Sequence, residues 1–365
     1  VWQKKYTRAN DATFFSATHD HLLFYARDKS QAVLGRVARG EEQTRAYSNP
    51  DHHPKGPWKA TPLHARSGSN TGSYTFANGV VWAPPTGTYR RFSDDTMAAL
   101  EQENAIWFGA NGSSTPSRKS FLSELDDGMV PVTIWEHGFA GHNHQANDEL
   151  KDLDMAGCFS SPKPTKLISR ILDLTTTGAE GEVAMDFFVG SGTFGDAVVR
   201  QNLEDGGRRR YIAVQLPEPL DVTNKDQRVA AEFCDATGVA RSIAELTKER
   251  MRRSGAAVRS REGGGGVDAG FRVFKLDTSN IETWEPDREE LDRSLEEVIE
   301  HIKGDRSEDD ILFELLLKLG LELTAPIETR EMSGKSVYSV GAGTLFVCLA
   351  ESVDRDDIEA VGLGI

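Results

Sequence analysis

A short glycine-rich segment contains the residues best suited to bind a ligand. The run MDFFVGSGTFGDAV (185–198) predicts a strand, a tight turn and a helix, with Gly190 and Gly192 in the turn. Glycine lets the backbone turn sharply, and a helix start offers unpaired N–H groups and a positive dipole end. The segment therefore favours a nucleotide-like ligand. A tight strand-to-helix connection that binds nothing fits the same residues.

Three features near this turn favour the ligand. The third glycine falls on Gly195 in the form GSGTFG, and Asp186 and two aromatic residues stand shortly before it, which the plain dinucleotide fingerprint does not require. Gln215 ends the next predicted strand, about 25 residues after Gly190, where a ribose-binding side chain is expected. Upstream, Lys163 stands between two prolines whose restricted φ holds it rigidly, as suits a partner for a carboxylate.

The surrounding pattern predicts an α/β protein with a further α+β region. The apolar spacing predicts helices at 93–103, 162–174, 193–203 and 308–319, and at 288–303. Strands are predicted at 22–25, 182–190, 209–216 and 271–277. A basic helix (239–261) precedes a GGGG hinge (263–266), and the chain ends with a hairpin (KSVYSV, then TLFVCLAE) and a helix just begun. Isolated aromatics in the Gly- and Pro-rich stretch 46–90 favour a folded module over a linker.

Composition excludes several classes of protein. No apolar run approaches the ~18 residues of a membrane-spanning helix, and the chain opens on Val1 without the pattern of a secretory signal. Cys158, Cys234 and Cys348 lie far apart, which predicts buried thiols in a reducing cytoplasm and no disulfide scaffold or zinc site. The histidines at 52–53 and at 137, 142 and 144 lack the companions of a metal site. The net charge is −15, but residues 1–120 hold 15 Lys and Arg against 10 Asp and Glu.

Taken together, these motifs resemble an S-adenosylmethionine-dependent amino methyltransferase of DNA, and more closely the modification (Mod) subunit of Type III restriction-modification systems. The resemblance runs along nearly the whole chain through THDHLLFYARDK, PTGTYRRFSDDTMAALEQENAIWFG, SRKSFLSEL, the GHN at 141–143, FSSPKPTKLISRIL, DFFVGSGTFGDAVVRQNLEDGGRRRYIAVQLPE and FRVFKLDTSNIETW. It implies adenine-N6 methylation of double-stranded DNA in the cytoplasm. The implied partners are a second copy of the chain and a restriction (helicase-nuclease) subunit, with no membrane.

The resemblance also implies a fold and its boundaries. The expected fold is a partial Rossmann-like methyltransferase core with an inserted target-recognition domain and a C-terminal α+β region. Residues 1–45 would be the end of a methyltransferase core whose first half is missing. Residues 46–135 would form the target-recognition region, 136–235 the cofactor-binding half of the core, and 236–365 a truncated C-terminal region. We expect 46–135 to form a separate lobe with cations and aromatics facing the cofactor cleft.

Site residues follow by position within the motifs. The cofactor loop would use Asp186, Phe187, Gly190, Gly192 and Thr193, with Phe159, Pro162 and Lys163 at the methionine end and Gln215 near the ribose or adenine. The interleaved cations and aromatics of the basic third predict the DNA contacts Trp58, Lys59, Arg66, Arg90, Arg91, Trp107, Arg118 and Lys119.

Two departures from the family pattern matter. Phe194 stands where the family more often has threonine, which could reshape the pocket floor. The Asp-Pro-Pro-Tyr loop, which binds the target amino group and stacks on an extruded base, is absent from these 365 residues, so no catalytic residue is assigned. We therefore expect an internal fragment that transfers no methyl group alone and leaves a sheet edge unpaired beside the glycine strand.

A second hypothesis fits the same residues: a non-catalytic DNA-binding or specificity subunit that kept the fold. Whether the reading frame before Val1 encodes Asp-Pro-Pro-Tyr separates the two. The basic helix segment 249–261 fits either a nucleic-acid or subunit contact or a solvated face.

Overall fold

The chain falls into two units in the computed structural model, Val1–Ala269 and Gly270–Ile365. The structure describes residues 1–8, 12–281 and 302–365. The helix predicted at 288–303 lies almost wholly outside the described residues. Helix and sheet are mixed in both units, as the sequence pattern predicts. None of the helices in the described ranges combines the length and apolar composition needed to cross a membrane.

Two parallel strands carry the glycine turn at their carboxyl ends. Strands β10 (Val183–Asp186) and β11 (Arg210–Ala213) pair from Val183 opposite Arg210 to Asp186 opposite Ala213. Helix α6 (Thr193–Asp205) connects them, and α5 (Thr165–Thr175) packs on α6 through the cluster of Leu172, Val189, Phe194, Ala197 and Val198. Both predicted helices are confirmed, and both predicted strands are shorter than expected.

The prediction of a buried strand at 182–190 is wrong in one respect. Val183 and Met185 are 51% and 45% exposed, because β10 lies in a sheet of only two strands and one face of that sheet is open. Within the described residues β10 has β11 as its single hydrogen-bonded neighbour. Its outer edge is therefore unpaired, as expected beside the glycine strand.

Three helices pack beside this sheet around a shared core. These are α4 (Asn143–Asp152), α7 (Arg228–Thr237) and α8 (Ile243–Arg259), the last confirming the predicted basic helix. Their core contains Leu150, Met155, Leu246 and two of the three cysteines, Cys158 and Cys234, whereas Cys348 is partly exposed. Burial raises the pKa of the Cys158 thiol to about 11, so that thiol stays protonated at neutral pH.

The stretch between residues 58 and 121 builds hydrophobic clusters from its own residues. Helix α2 (Asp94–Gln102) starts as predicted at Ser93, whose hydroxyl accepts a hydrogen bond from Thr96 N. Seven short strands surround it: β3 (Trp58–Pro62), β4 (His64–Ala65), β5 (Tyr74–Thr75), β6 (Val81–Trp82), β7 (Tyr89–Arg90), β8 (Ile106–Trp107) and β9 (Ser117–Phe121). Antiparallel pairs join β3 to β9, β9 to β8, β4 to β7 and β5 to β6. One cluster holds Leu63, Phe76, Trp82, Met97 and Ile106, and the other holds Trp58, Ala105 and Phe121.

The N-terminal segment pairs differently from the prediction. Strand β1 (Trp2–Gln3) pairs with β2 (His19–Asp20), and short helices follow at α1 (Glu41–Thr44) and α3 (His137–Ala140). The strand predicted at 22–25 is wrong. Leu23 and Tyr25 are 76% and 84% exposed, because this apolar run has no neighbouring strand or helix to pack against in the described part of the chain.

The unit Gly270–Ile365 is a small α+β structure. Helix α9 (Glu308–Lys318) packs on an antiparallel sheet of β12 (Ile327–Met332), β13 (Lys335–Val340) and β14 (Leu345–Cys348), and α10 (Arg355–Gly364) follows. The helix predicted at 308–319, the helix at the end of the chain and the hairpin are confirmed, and β12 is an additional strand. The strand predicted at 271–277 is wrong: Leu276 is fully exposed, and Arg272 bonds through its guanidinium to the backbone carbonyls of Leu323 and Ala325. The GGGG hinge forms one 3₁₀ turn, Gly264–Gly266.

Candidate cofactor site and nucleic-acid interface

The glycine turn reverses the chain where β10 and β11 end. Val214 N donates to Asp186 O at 2.8 Å, and Val189 N donates to Val214 O at 3.1 Å. The segments that follow the two strands therefore stay hydrogen-bonded up to the turn. Gly190 and Gly192 have φ values of 51° and 75°, in the left-handed region that favours glycine. Gly192 is the residue before α6, so the turn places the helix N-terminus at the carboxyl edge of the strands.

Gln215 belongs to this turn, as its position predicts. Its side-chain Oε1 accepts a hydrogen bond from Gly190 N at 2.8 Å. A Cβ added at Gly190 would meet only Phe188 O, at 3.7 Å, so the space beside Gly190 is open. Phe187 and Phe188 are 62% and 82% exposed at the same edge. An open backbone position and an amide side chain therefore lie together at the end of the strands, and two exposed aromatic residues precede them in the chain.

The PKP segment reaches the same turn. Thr193 Oγ1 donates to the Lys163 carbonyl oxygen at 2.9 Å, which brings Lys163 within one ligand length of the glycines. Pro162 and Pro164 are buried, and Pro164 is the residue from which α5 starts. Lys163, Thr193 and Gln215 therefore all lie at the glycine turn. Phe159 instead packs against the cluster that contains Leu150 and Leu246.

The ammonium group of Lys163 has its own partners. Nζ lies 3.2 Å from Asp20 Oδ2 and 5.0 Å from the centre of the Trp2 ring. Asp20 also accepts a hydrogen bond from Lys4, and this bond, together with Lys163, holds the pKa of the Asp20 carboxyl below its ordinary value. Asp20 was not predicted from the sequence, because its contact with Lys163 depends on β2 lying beside β1.

Buried charges beneath the turn were also missed. Arg250 and Asp196 are fully buried and contact each other at 3.2 Å. Arg200 also binds Asp196, and Glu149 lies 3.7 Å from Arg250. The reading of 249–261 as a solvated or nucleic-acid face is therefore wrong at Arg250, which points into the core. Its signal was an acidic residue in the first turn of α6 with arginines two helices later, in α8.

Phe194 fills core volume. It is 8% exposed and packs with Leu172 and Val198, and its ring meets that of Tyr211 edge-on at 6.4 Å between centres. Burial raises the pKa of the Tyr211 hydroxyl to about 12. The departure from threonine at position 194 thus adds apolar contact between α6 and β11.

Three of the residues predicted to contact DNA are buried in the interior of the 58–121 stretch. Trp58, Arg90 and Lys119 are 4%, 9% and 2% exposed. Lys119 Nζ binds Asp51 and the Asn104 carbonyl oxygen, and Arg90 binds Asp94. Because each cation is already paired and out of solvent, burial gives these three side chains a structural role.

The other predicted contacts are more accessible. Lys59, Arg66 and Arg91 are exposed, and Trp107 and Arg118 are partly buried. Trp107 packs against Trp58 with ring centres 5.1 Å apart, and the Arg118 guanidinium lies 5.6 Å from the centre of the Phe92 ring. Exposed cations therefore remain at Lys59, Arg66 and Arg91. In the described ranges, no group of three His, Cys, Asp or Glu residues could hold a metal ion.

Parallel strands joined through a glycine turn and a helix define an α/β protein in which a helix N-terminus lies at the carboxyl edge of the strands. A sequence model of the family described as DNA methylase matches residues 1–216. The chain belongs to this DNA methylase family.

Curated relatives narrow the likeness. The chain is 27% identical over 292 residues to the Type III restriction-modification enzyme StyLTI Mod subunit of Salmonella typhimurium, covering 78% of this chain and 41% of that protein. It is 29% identical over 257 residues to the EcoP15I Mod subunit of Escherichia coli, covering 68% and 35%. Against the EcoPI Mod subunit of Escherichia phage P1 it is 24% identical over 268 residues, covering 65% and 39%. The chain therefore spans 35–41% of the length of these relatives.

Proposed function

We propose that this chain is part of an adenine-N6 DNA methyltransferase, the modification subunit of a Type III restriction-modification system, and that it binds S-adenosylmethionine at the glycine turn. One observation carries the proposal. In a chain of the DNA methylase family, Gly190 N bonds to Gln215 and the adjoining Thr193 hydroxyl bonds to the backbone of Lys163. When bound, S-adenosylmethionine would supply an electrophilic methyl group.

The charges around α6 support a nucleoside over a dinucleotide. A pyrophosphate is stabilised by a helix N-terminus with excess positive charge. Here Arg250 and Arg200 are matched by Asp196, in the first turn of α6, and by Glu149. The neighbourhood is close to neutral, so it favours a nucleoside ligand without phosphates. Phe187 and Phe188 offer apolar surface for a purine ring, and Asp186 lies at the strand end.

The exposed cations of residues 46–135 support DNA as the substrate. We assign the phosphate contacts to Lys59, Arg66 and Arg91, with Trp107 and Arg118 beside them, and leave Trp58, Arg90 and Lys119 as the interior that holds them. Since the clusters of this stretch draw only on residues 58–121, we treat 46–135 as a target-recognition domain inserted into a Rossmann-like core of 1–45 and 136–235. The remainder, 236–365, is the α+β C-terminal region.

The names of the relatives support the partners that we propose for this chain. Each is the Mod subunit of a Type III restriction-modification enzyme. We therefore propose double-stranded DNA, a restriction subunit with helicase and nuclease activity, and a second copy of the chain as partners, in the cytoplasm.

The cofactor proposal is tested by calorimetric titration of the 365-residue chain with S-adenosylmethionine. Gln215→Ala removes the acceptor of Gly190 N, and the loss of one such hydrogen bond corresponds to about fivefold weaker binding. Gln102→Ala, at an exposed position near the end of α2, is the matched control and should bind like the unmodified chain. Absence of binding by the unmodified chain, or equal affinities for all three proteins, contradicts the assignment of this turn.

A further inference from the structure

Helix α8 places a fully buried arginine beneath the glycine turn. Arg250 Nη1 donates to Thr193 Oγ1 at 2.7 Å and to Ser191 Oγ at 3.2 Å, and Nη2 lies 3.2 Å from Asp196 Oδ2. Its side chain is 0% exposed. Burying a guanidinium is costly unless it is paired and hydrogen-bonded, so these contacts fix its position closely.

The same arginine reaches the other wall of the proposed pocket. Glu149 Oε2 lies 3.7 Å from Arg250 Nη2, and the Glu149 carboxylate accepts hydrogen bonds from Thr165 N at 3.0 Å and Thr165 Oγ1 at 2.9 Å. Thr165 begins α5, directly after the Lys163–Pro164 segment. One buried network therefore joins α8 to the start of α6 and to the start of α5.

The hydroxyl of Thr193 transmits this contact. A hydroxyl has one proton and two lone pairs. The Lys163 carbonyl, 2.9 Å away, can only accept, so it takes the Thr193 proton, while the Thr193 oxygen accepts from Arg250 and lies 2.9 Å from Ser191 Oγ. One turn earlier on α8, the Thr247 hydroxyl contacts the Gly190 carbonyl oxygen. Helix α8 thus contacts the glycine turn at both of its ends.

We propose that Arg250 is a positioning residue for the cofactor turn: by holding the Thr193 hydroxyl, it ties Gly190–Gly192 to the Lys163 backbone and so preorganises the pocket. Arg250 cannot touch the ligand, since its side chain is fully buried beneath the turn. It acts on ligand affinity through Thr193, and the identity of that ligand rests on the proposed function. Preorganisation lowers the cost of ordering the turn when the ligand binds.

The test compares Arg250→Lys and Arg250→Met with Arg209→Met in the 365-residue chain. Arg209 is a matched control, because it is also buried in this unit and bonds to Asp205 at 2.8 Å and Thr176 at 2.6 Å, away from the turn. The readouts are the affinity for S-adenosylhomocysteine by calorimetry and the hydrogen-exchange rates of amides 190–193. Loss of hydrogen bonds to a charged group corresponds to about tenfold or more.

We expect Arg250→Met to weaken binding at least about tenfold and to speed exchange at 190–193, with partial recovery in Arg250→Lys. Arg209→Met should lower stability but keep affinity within about twofold, because its bonds do not reach the turn. Equal affinities and equal exchange in Arg250→Met and Arg209→Met overturn the proposal. Should Arg250→Met fail to fold, Arg250→Lys carries the comparison.

A double-mutant cycle with Thr193→Val isolates the route. If Arg250 acts through Thr193, Arg250→Lys adds little to the loss already caused by Thr193→Val, and fully additive losses overturn that route. An unmodified chain that binds neither S-adenosylmethionine nor S-adenosylhomocysteine contradicts the proposed function. In that event the exchange rates at 190–193 still decide whether Arg250 orders the turn.

Discussion

Substitutions of the adjacent residues Arg90 and Arg91 should have different effects: the first should lower stability, and the second should weaken DNA binding. The Arg90 side chain is 4% exposed, and it bonds to Asp94 and to the carbonyl oxygens of Phe92 and Ser73. Its guanidinium also lies 5.4 Å from the centre of the Tyr74 ring. Arg91 is exposed, and its backbone N bonds to Leu63 O, a contact that a side-chain substitution retains.

The magnitude for Arg90→Ala follows from these contacts. A charge-assisted hydrogen bond contributes about 1.5–3 kcal/mol and a cation–π contact about 0.5–1 kcal/mol. Water replaces part of this, since Asp94 is 75% exposed, and Arg90 Nε already lacks a partner. We therefore expect Arg90→Ala to lower the free energy of unfolding by about 2 kcal/mol, with the salt dependence of DNA binding by the folded protein unchanged.

For Arg91→Ala we expect the reverse. The free energy of unfolding should change by less than about 0.5 kcal/mol, as at most exposed positions. If Arg91 neutralises one phosphate, the slope of log affinity against log salt should fall by about 0.9. The assays are chemical denaturation and fluorescence anisotropy of labelled duplex DNA over a range of salt, with Arg208→Ala, an exposed arginine outside 46–135, as the control.

An unchanged slope for Arg91→Ala, or the same loss of slope for Arg208→Ala, refutes the assignment of this surface to DNA. A fall in slope for Arg90→Ala without loss of stability refutes the structural role of Arg90.

Three further predictions concern the core, the C-terminal unit and the reaction. Gly195→Ala would place a Cβ 2.4 Å from Met251 Cε and 3.2 Å from the Tyr211 ring, so it should lower the free energy of unfolding by about 1 kcal/mol. In chemical denaturation, the double variant with Met251→Ala should lose less stability than the sum of the two single losses, and strict additivity refutes the contact. Hydrogen bonds from Ser279 and Asn280, with Lys318, lower the pKa of Glu314 from 4.5 to about 2, so the stability this carboxylate contributes is present above pH 4.5 and is lost as pH falls towards about 2. Glu314→Gln should flatten the pH dependence of unfolding in that window, and an identical pH profile contradicts this. The 365-residue chain should transfer no methyl group from labelled S-adenosylmethionine to DNA above a control with Gly190 and Gly192 replaced, because it contains no Asp-Pro-Pro-Tyr; transfer above that control would show a catalytic group elsewhere in the chain.

Local signals predicted the glycine turn well. The apolar spacing of 162–174 and 193–203 gives the helices α5 and α6, and the glycines between strand and helix fix the turn. Gln215 and Lys163 were placed correctly beside it, because strand ends and proline-bounded positions are constrained by chain geometry alone.

Features that depend on tertiary contacts could not be predicted from the sequence. Arg90 and Arg91 are indistinguishable as neighbouring arginines, and only the packing of Tyr74 and Asp94 around one of them decides which is buried. Arg250 belongs to a helix whose overall basic character indicates a solvated face. Its burial depends on pairing with Asp196, which is 54 residues away in the chain. The run at 22–25 has a strand's composition without a partner strand to hydrogen-bond with among the described residues.

The central claim is that the turn 186–193, with Lys163 and Gln215, binds S-adenosylmethionine. Hydrogen–deuterium exchange of the 365-residue chain, with and without saturating S-adenosylhomocysteine, tests it most directly. We predict slower exchange confined to the peptides that contain 159–165, 186–193 and 214–216, because ligand contact and ordering of the turn protect these amides. Unchanged exchange in all three peptides, or protection elsewhere with none at 186–193, would contradict the account.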